Sequence, residues 1–346
     1  MTRIAICASQ VPFERGGAEA LVEGLRRQLT QRGHEVDVVT LPFKWYPAAR
    51  LLSSCLMWRM VDLTQANGAP VDMVIATKFP SYAVRHPNKT TWLVHQYRQA
   101  YDWYGTPLSD LSPSPADVQV RQRIFEIDRR TLSEAKRLYA ISRNVASRLQ
   151  RFNGLTAQVL YPPTLLEGRL RCDSYGDSII YVGRLDAAKR VDLLLQAMTA
   201  APRGMQCLIA GEGQDRQRLE RLARSLGLGD RVRFLGWVDN EDLIKLYAQC
   251  FAVFYAPLDE DYGYATVEAF QAAKPVVTAN DSGGVLEFVE DGVTGCIAPP
   301  QAEALAQKFS RLFEDRSVCA RLGEAGREAV KAIRWQITIE KLLSGS

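Results

Sequence analysis

Ser178-Ile-Ile-Tyr-Val-Gly-Arg-Leu-Asp-Ala-Ala-Lys-Arg-Val-Asp-Leu-Leu-Leu-Gln-Ala-Met-Thr-Ala200 is the stretch on which the fold turns. Its β-branched run Ser178–Val182 reads as a buried strand, Gly183 opens a turn, and helical periodicity follows over Lys189–Ala200. A strand feeding a helix through a glycine turn is the first half of a βαβ unit. Beyond it, strands at Gln206–Ala210, Val232–Leu235, Ala252–Tyr255 and Pro275–Thr278 alternate with helical segments at Asp215–Leu226 and Asn240–Gln249. Ahead of it, Tyr161–Asp177 carries Pro162, Pro163, Gly168 and Gly176 with little periodicity and reads as a linker.

The first half repeats the alternation. Arg3–Ala8, Glu35–Leu41, Asp72–Ala76, Thr91–His95 and Arg137–Ile141 read as strands, Ala18–Arg32 as a helix, and Ser142–Phe152 as a helix capped by Ser142. The fold class expected is α/β, with two Rossmann-like doubly wound domains and a cleft between them. The domains span residues 1–165 and 166–330, and a final helix, 331–346, is expected to return to the first.

A chain of 346 residues suits two cores, and 47% hydrophobic with 24% charged residues is ordinary for a folded enzyme. A net charge of +4, with basic and acidic residues interspersed, argues against a nucleic-acid surface. The seven cysteines are odd in number and lack a C-x-x-C pair, so they read as reduced core thiols of a cytoplasmic protein. No signal peptide or membrane-spanning run is expected.

In doubly wound sheets, ligands sit beyond the carboxyl ends of the strands, so those loops decide function. Gly16 and Gly17 precede the first helix, where amides can approach a phosphate; a plain tight connection explains them equally well. Arg184 and Lys189 flank the turn after Ser178–Val182 and could clamp two phosphates, or simply be solvated. In Asp259-Glu-Asp-Tyr-Gly-Tyr-Ala-Thr-Val-Glu-Ala269, Glu260 and Glu268 are candidates to hold sugar diols, and Gly263 frees the amides around Tyr264 and Ala265.

Together, Glu260 with Glu268, Gly183–Lys189, Gly16–Gly17, Ala210–Gly213 and Gly283–Gly295 resemble the family 4 glycosyltransferases of GT-B fold. The resemblance runs over nearly the whole chain and is most specific in the second half. It implies retaining transfer of a hexose from a UDP- or GDP-sugar co-substrate, with no tightly bound cofactor, no metal ligands and no obligatory metal. It implies Arg184 and Lys189 as the diphosphate clamp, Glu268 as the ribose ligand, and Glu260 with Tyr262, Gly263, Tyr264 and Ala265 as donor-sugar ligands. Gly17 would close on the phosphate, Gly16, Gly183 and Gly211 would join the donor site, and Trp237 and Val238 lie where the base packs. His95 resembles the histidine beside the reacting carbon. The chain departs from the family's Glu-Gly-Phe-Gly with Glu260-Asp-Tyr-Gly263, and Ala273 replaces a common glycine, which leaves donor identity open.

Tyr97, Arg98 and Tyr101, within a cluster reaching Tyr104, are acceptor candidates or else a packed loop. The acceptor expected is a carbohydrate, a lipid-linked sugar or a small molecule. Leu51–Met60, near Lys44, Arg50 and Arg59, could rest on a bilayer at the cytoplasmic face, although packing into the core is the preferred reading. Competing functions are a nucleotide-sugar epimerase or hydrolase, and a non-catalytic nucleotide-sugar binder.

Overall fold

The computed structural model describes residues 1–14 and 16–344, in two compact units: Met1–Pro163 with the segment from Trp335 onward, and Thr164–Arg334. The first unit runs β1 (Arg3–Gln10), α1 (Gly17–Gln31), β2 (Glu35–Pro42), α2 (Ala49–Met60), β3 (Gln65–Ala66), β4 (Ala69–Pro70), β5 (Met73–Ala76), β6 (Lys89–Leu93), α3 (Pro115–Ser133), β7 (Arg137–Ala140), α4 (Arg143–Asn153) and β8 (Gln158–Val159). Its six-stranded sheet has the order β2-β1-β5-β6-β7-β8, parallel throughout, while β3 and β4 form a separate antiparallel hairpin. Met73–Ala76 is buried at every position, as a central parallel strand covered on both faces must be. Ser142 caps α4 through Val145 N at 3.0 Å, as its sequence suggests.

The two-residue strands β3, β4 and β8 were not expected, and two longer elements also differ from expectation. The strand expected at Thr91–His95 is Lys89–Leu93, so His95 lies beyond its end. Lys89 opens the strand, and its buried ammonium donates to the carbonyls of Tyr82, Val84 and Thr131 at 2.9, 3.1 and 2.8 Å. The nineteen-residue α3 was not anticipated, although Ser114 accepting from Asp117 N and Pro115 in the first turn are legible start signals.

The second unit runs β9 (Ser178–Val182), α5 (Val191–Ala200), β10 (Gln206–Ala210), α6 (Arg216–Ser225), β11 (Val232–Gly236), α7 (Asn240–Gln249), β12 (Ala252–Phe254), α8 (Tyr264–Gln271), β13 (Val276–Ala279), β14 (Gly295–Ala298), α9 (Ala302–Glu314) and α10 (Arg316–Ala329). Its sheet order is β11-β10-β9-β12-β13-β14, again parallel. The order reverses between β9 and β12, so the loops following these two strands leave the sheet side by side. Strand β14 escaped the sequence reading because it is four residues long and starts on a glycine.

The last helix, α11 (Trp335–Leu343), belongs to the first unit. Trp335 sits edge-on to Trp92 with centroids 6.4 Å apart, and Tyr139 Oη donates to Lys341 O at 3.0 Å. All seven cysteines are unbridged and six are buried. Among the described residues no helix is long and apolar enough to cross a membrane. The preference for core packing of Leu51–Met60 holds for one side only: Leu51, Ser54, Cys55 and Trp58 face inward, whereas Leu56, Met57 and Met60 are exposed.

A polar chain crosses the interior of this unit. Gln96 Nε2 donates to Asn153 Oδ1, Asn153 Nδ2 to Tyr101 Oη at 3.2 Å, and Tyr101 Oη to Asp128 Oδ2 at 2.7 Å. Burial pushes the Asp128 carboxyl up to about 7, against the opposing pull of the Tyr101 hydroxyl. Its folded pKa therefore lies above the unfolded value of 3.8, so the folded state binds the extra proton and stability from this group falls as pH rises from about 4 to about 7. At ~1.4 kcal/mol per unit, the stability difference between wild type and Asp128→Asn should move against wild type by about 2–3 kcal/mol between pH 5 and pH 7. Urea melts of both proteins across that range measure it; a pH-independent difference would show an ordinary solvated carboxylate.

Candidate functional site

The crossover between β9 and β12 gathers charge by local design. After β9 the chain turns at Gly183, and the short 3-10 turn Ala187–Lys189 is capped by Asp186, whose carboxylate accepts from Lys189 N at 3.2 Å. This turn carries the Lys189 side chain to Glu260, in the loop after β12, where the two form an ion pair, and Lys189 Nζ also meets Tyr255 Oη at 3.3 Å. Burial would lower the Lys189 pKa, but the Glu260 carboxylate and neighbouring groups outweigh it and raise it above the usual lysine value. The group is thus held as a desolvated ammonium. Arg184 behaves differently: its side chain is 55% exposed and comes only within 3.6 Å of Asp186.

The Glu260 loop is held by backbone as well. Asp259 N bonds to Asp281 O at 2.9 Å, Glu260 N to Ser282 O at 3.2 Å, and Gly284 N to Glu260 O at 2.7 Å. Gly263 then starts α8 at φ 91°, where a Cβ would sit 3.0 Å from both Tyr255 Cε1 and Val285 Cγ2. Only glycine fits there, and it leaves the amides of Tyr264 and Ala265 at the positive end of α8, whose first turn has no acid. Tyr262 is buried edge-on against Tyr264 and Phe288, so its ring serves packing.

Glu268 lies in the second turn of α8, with Oε1 accepting from Thr164 Oγ1 at 2.7 Å and Oε2 from Tyr247 Oη at 2.9 Å. Burial raises its pKa above the ordinary carboxylate value, and the two hydroxyls oppose that rise. Gly211 follows β10 so close to the β9 loop that a Cβ would stand 1.8 Å from Gly183 O. Past β11, Trp237 is 76% exposed beside half-buried Val238. Among the described residues, no group of three or more His, Cys, Asp or Glu side chains could hold a metal ion.

The first unit receives the other candidates. Gly16 is the N-cap of α1 and Gly17 its first residue. Glu19, one turn in, pairs with Lys78 at 2.6 Å; burial alone would raise its pKa, but Lys78 and the amides of Glu19 and Gly16 hold it below the usual range. His95 is half-buried with Nδ1 2.7 Å from Gln96 O, a contact in which Nδ1 carries a proton and donates. Of the two readings of Tyr97, Arg98 and Tyr101, their packing favours the packed loop. All three are buried, Tyr101 stacks on Phe125 and spends its hydroxyl on Asp128 and Asn153, and Arg98 pairs with Asp102 beneath Trp103.

Sequence reasoning missed the residue that ties the second unit's loops together. Arg190 sits next to Lys189 in a left-handed conformation at φ 51°, and its guanidinium takes both Asp281 oxygens at 2.7 and 2.8 Å with the carbonyls of Ala256 and Pro257. Its partners lie more than sixty residues away, so no local pattern exposes them. Thr164, 104 residues from Glu268, was missed for the same reason, and Tyr247, 21 residues away on another helix, was missed as well. Arg190→Ala should lower stability by about 2–4 kcal/mol, and Arg190→Lys should recover only a minor part because an ammonium cannot reproduce the fork. Denaturant melts measure both, and a lysine variant equal to wild type would rule out this role.

Comparison with known proteins places this geometry. Residues 173–329 match the family Glycosyl transferases group 1. Over 150 residues the chain is 33% identical to alpha-D-kanosaminyltransferase of Streptomyces kanamyceticus, covering 42% of this chain and 39% of that protein. Over 208 residues it is 30% identical to D-inositol 3-phosphate glycosyltransferase of Salinispora arenicola, covering 56% of this chain and 46% of that one. The chain therefore spans less than half the length of these curated relatives. Sucrose-phosphate synthase of Thermosynechococcus elongatus superposes with a TM-score of 0.80 at 21% identity, over 99% of this chain and 97% of that one. Residues 173–329 are thus similar to the glycosyl transferases group 1 family, and the chain that carries them has an α/β fold like that of the GT-B glycosyltransferases.

Proposed function

We propose that this protein is a retaining glycosyltransferase that takes a hexose from a nucleoside-diphosphate sugar and passes it to an acceptor hydroxyl. The observation that carries the reading is the Lys189–Glu260 pair, a desolvated ammonium beside a carboxylate at the strand crossover of the group 1 domain. Each partner suits one half of a sugar diphosphate. The ammonium meets the phosphate oxygens on which charge develops as the glycosidic bond breaks, and the carboxylate accepts from sugar hydroxyls. Arg184, exposed at the same turn, swings onto the second phosphate. The amides of Gly263, Tyr264 and Ala265 and the dipole of α8 add fixed positive potential.

Glu268 takes the ribose, exchanging hydrogen bonds from Thr164 and Tyr247 for those of the diol. Trp237 and Val238 offer the surface for the base. The first unit is left with the acceptor, and His95 Nε2 is its candidate hydrogen-bond acceptor toward a sugar hydroxyl.

Retention follows by attack on the face that the diphosphate leaves, with the acceptor hydroxyl hydrogen-bonded to a departing phosphate oxygen that takes its proton. A covalent glycosyl intermediate on Glu260 is disfavoured because its carboxylate is ion-paired with Lys189. The basic side chains and amides neutralise the leaving group without an obligatory metal. An epimerase or hydrolase would turn over the donor without an acceptor.

Thermal shifts with UDP, GDP, ADP and dTDP and their sugars should show stabilisation by one diphosphate, lost in Glu268→Ala. With that donor and an accepted acceptor, Lys189→Met should reduce kcat about 100- to 1000-fold with a smaller change in KM. Absence of binding to every diphosphate, by calorimetry as well as thermal shift, would remove the reading.

A further inference from the structure

Helix α2 is apolar on two sides, and the fold accounts for one of them. Leu51, Ser54, Cys55 and Trp58 recur at helical spacing on the inward face, where Trp58 Nε1 donates to Ser9 Oγ at 3.1 Å. The outward face should carry polar residues. Instead Leu56, Met57 and Met60 stand 59%, 45% and 76% exposed, a side-by-side set at i, i+1 and i+4. Just before the helix Tyr46 is 57% exposed, with Lys44 Nζ 4.6 Å above its ring. Three large apolar side chains turned to water are not needed to fold this unit.

The charge leading into and along the patch has one sign. No aspartate or glutamate occurs between Asp37 and Asp62. Within that interval Lys44 and Arg50 are exposed, whereas Arg59 is forked onto Glu134 and turned away from the role. Asp62, just past the helix, directs its carboxylate to the Thr64 amide and hydroxyl at 2.9 and 2.7 Å. An apolar helix face bordered by an amphipathic tyrosine and unneutralised cations matches the boundary of an anionic bilayer. The aliphatic groups enter the acyl edge, the phenol lies at headgroup depth, and the cations meet lipid phosphates.

We propose that the outward face of α2, with Lys44, Tyr46 and Arg50, is a docking surface for an anionic lipid bilayer. Docking does not depend on the proposed transfer reaction, and its test uses no donor. It would bring the unit assigned to the acceptor onto the surface where a lipid-borne acceptor resides.

The test is flotation of the full chain with vesicles of phosphatidylcholine alone and of phosphatidylcholine mixed with phosphatidylglycerol. Wild type should bind the mixed vesicles on the order of ten times more tightly than the neutral ones, with the advantage shrinking in high salt. Leu56→Ser/Met57→Ser/Met60→Ser should reduce binding to the mixed vesicles at least about tenfold, and Lys44→Glu/Arg50→Glu should erase the preference for anionic lipid. Melting temperatures establish that the variants fold; should the triple variant not, Met60→Asp carries the comparison. Absence of flotation with either vesicle overturns the proposal, as does full binding by the apolar variant. A concentration-dependent dimer that the triple substitution dissolves, seen by sedimentation in place of vesicle binding, overturns it in favour of a second copy.

Discussion

The second unit is organised around one guanidinium. Arg190 holds Asp281 bidentately and the carbonyls of Ala256 and Pro257, so it fastens the start of α5 to the loops after β12 and β13. Leu258 N to Ala188 O at 2.8 Å reinforces the join. Loops leaving a sheet edge would otherwise move independently, and an ion pair formed across two of them would be loose. With the fork in place, Lys189 and Glu260 face each other as a desolvated pair. Charge-assisted, planar bonding suits that task because it fixes orientation as well as distance.

That constraint explains the division of labour among the charged residues. Lys189 is held by Glu260 and Tyr255, while Arg184, five residues earlier, remains exposed. Glu260 and Glu268 likewise differ in setting. The first is ion-paired in a loop, and the second is held on a helix by two hydroxyl donors. In the first unit the corresponding crossover, between β1 and β5, also holds a lysine–glutamate pair, Lys78 with Glu19 at the start of α1.

The two units also differ in how their interiors are built. The second buries isolated polar groups such as Lys274, Thr266 and Thr278, whereas the first runs a connected polar chain from Gln96 through Asn153 and Tyr101 to the buried Asp128. Burying such a chain costs desolvation that only complete hydrogen bonding offsets. It stiffens the segment after His95. That segment looked like a ligand surface because Tyr97, Arg98 and Tyr101 are amphipathic residues, as suited to a packed polar interior as to a sugar.

Local physics made the strands, most helices and the positions of the chemical loops legible in the amino-acid order alone. Hydrophobic period, caps such as Ser142, and glycines such as Gly183 and Gly263 act within a few residues. Where buried lysine or short, glycine-led segments confound period, as at Lys89 and Gly295, the reading slipped or failed. The candidates Lys189, Glu260 and Glu268 were visible as residue types at strand ends, but their partners were not. That Lys189 meets Glu260, that Tyr247 and Thr164 hold Glu268, and that Arg190 fastens the site through Asp281 are contacts across sixty to a hundred residues for all but Tyr247. Only the closing of a parallel sheet brings such positions together, because βαβ winding sets distant strand ends side by side and hides from the linear order which neighbour each charge will have.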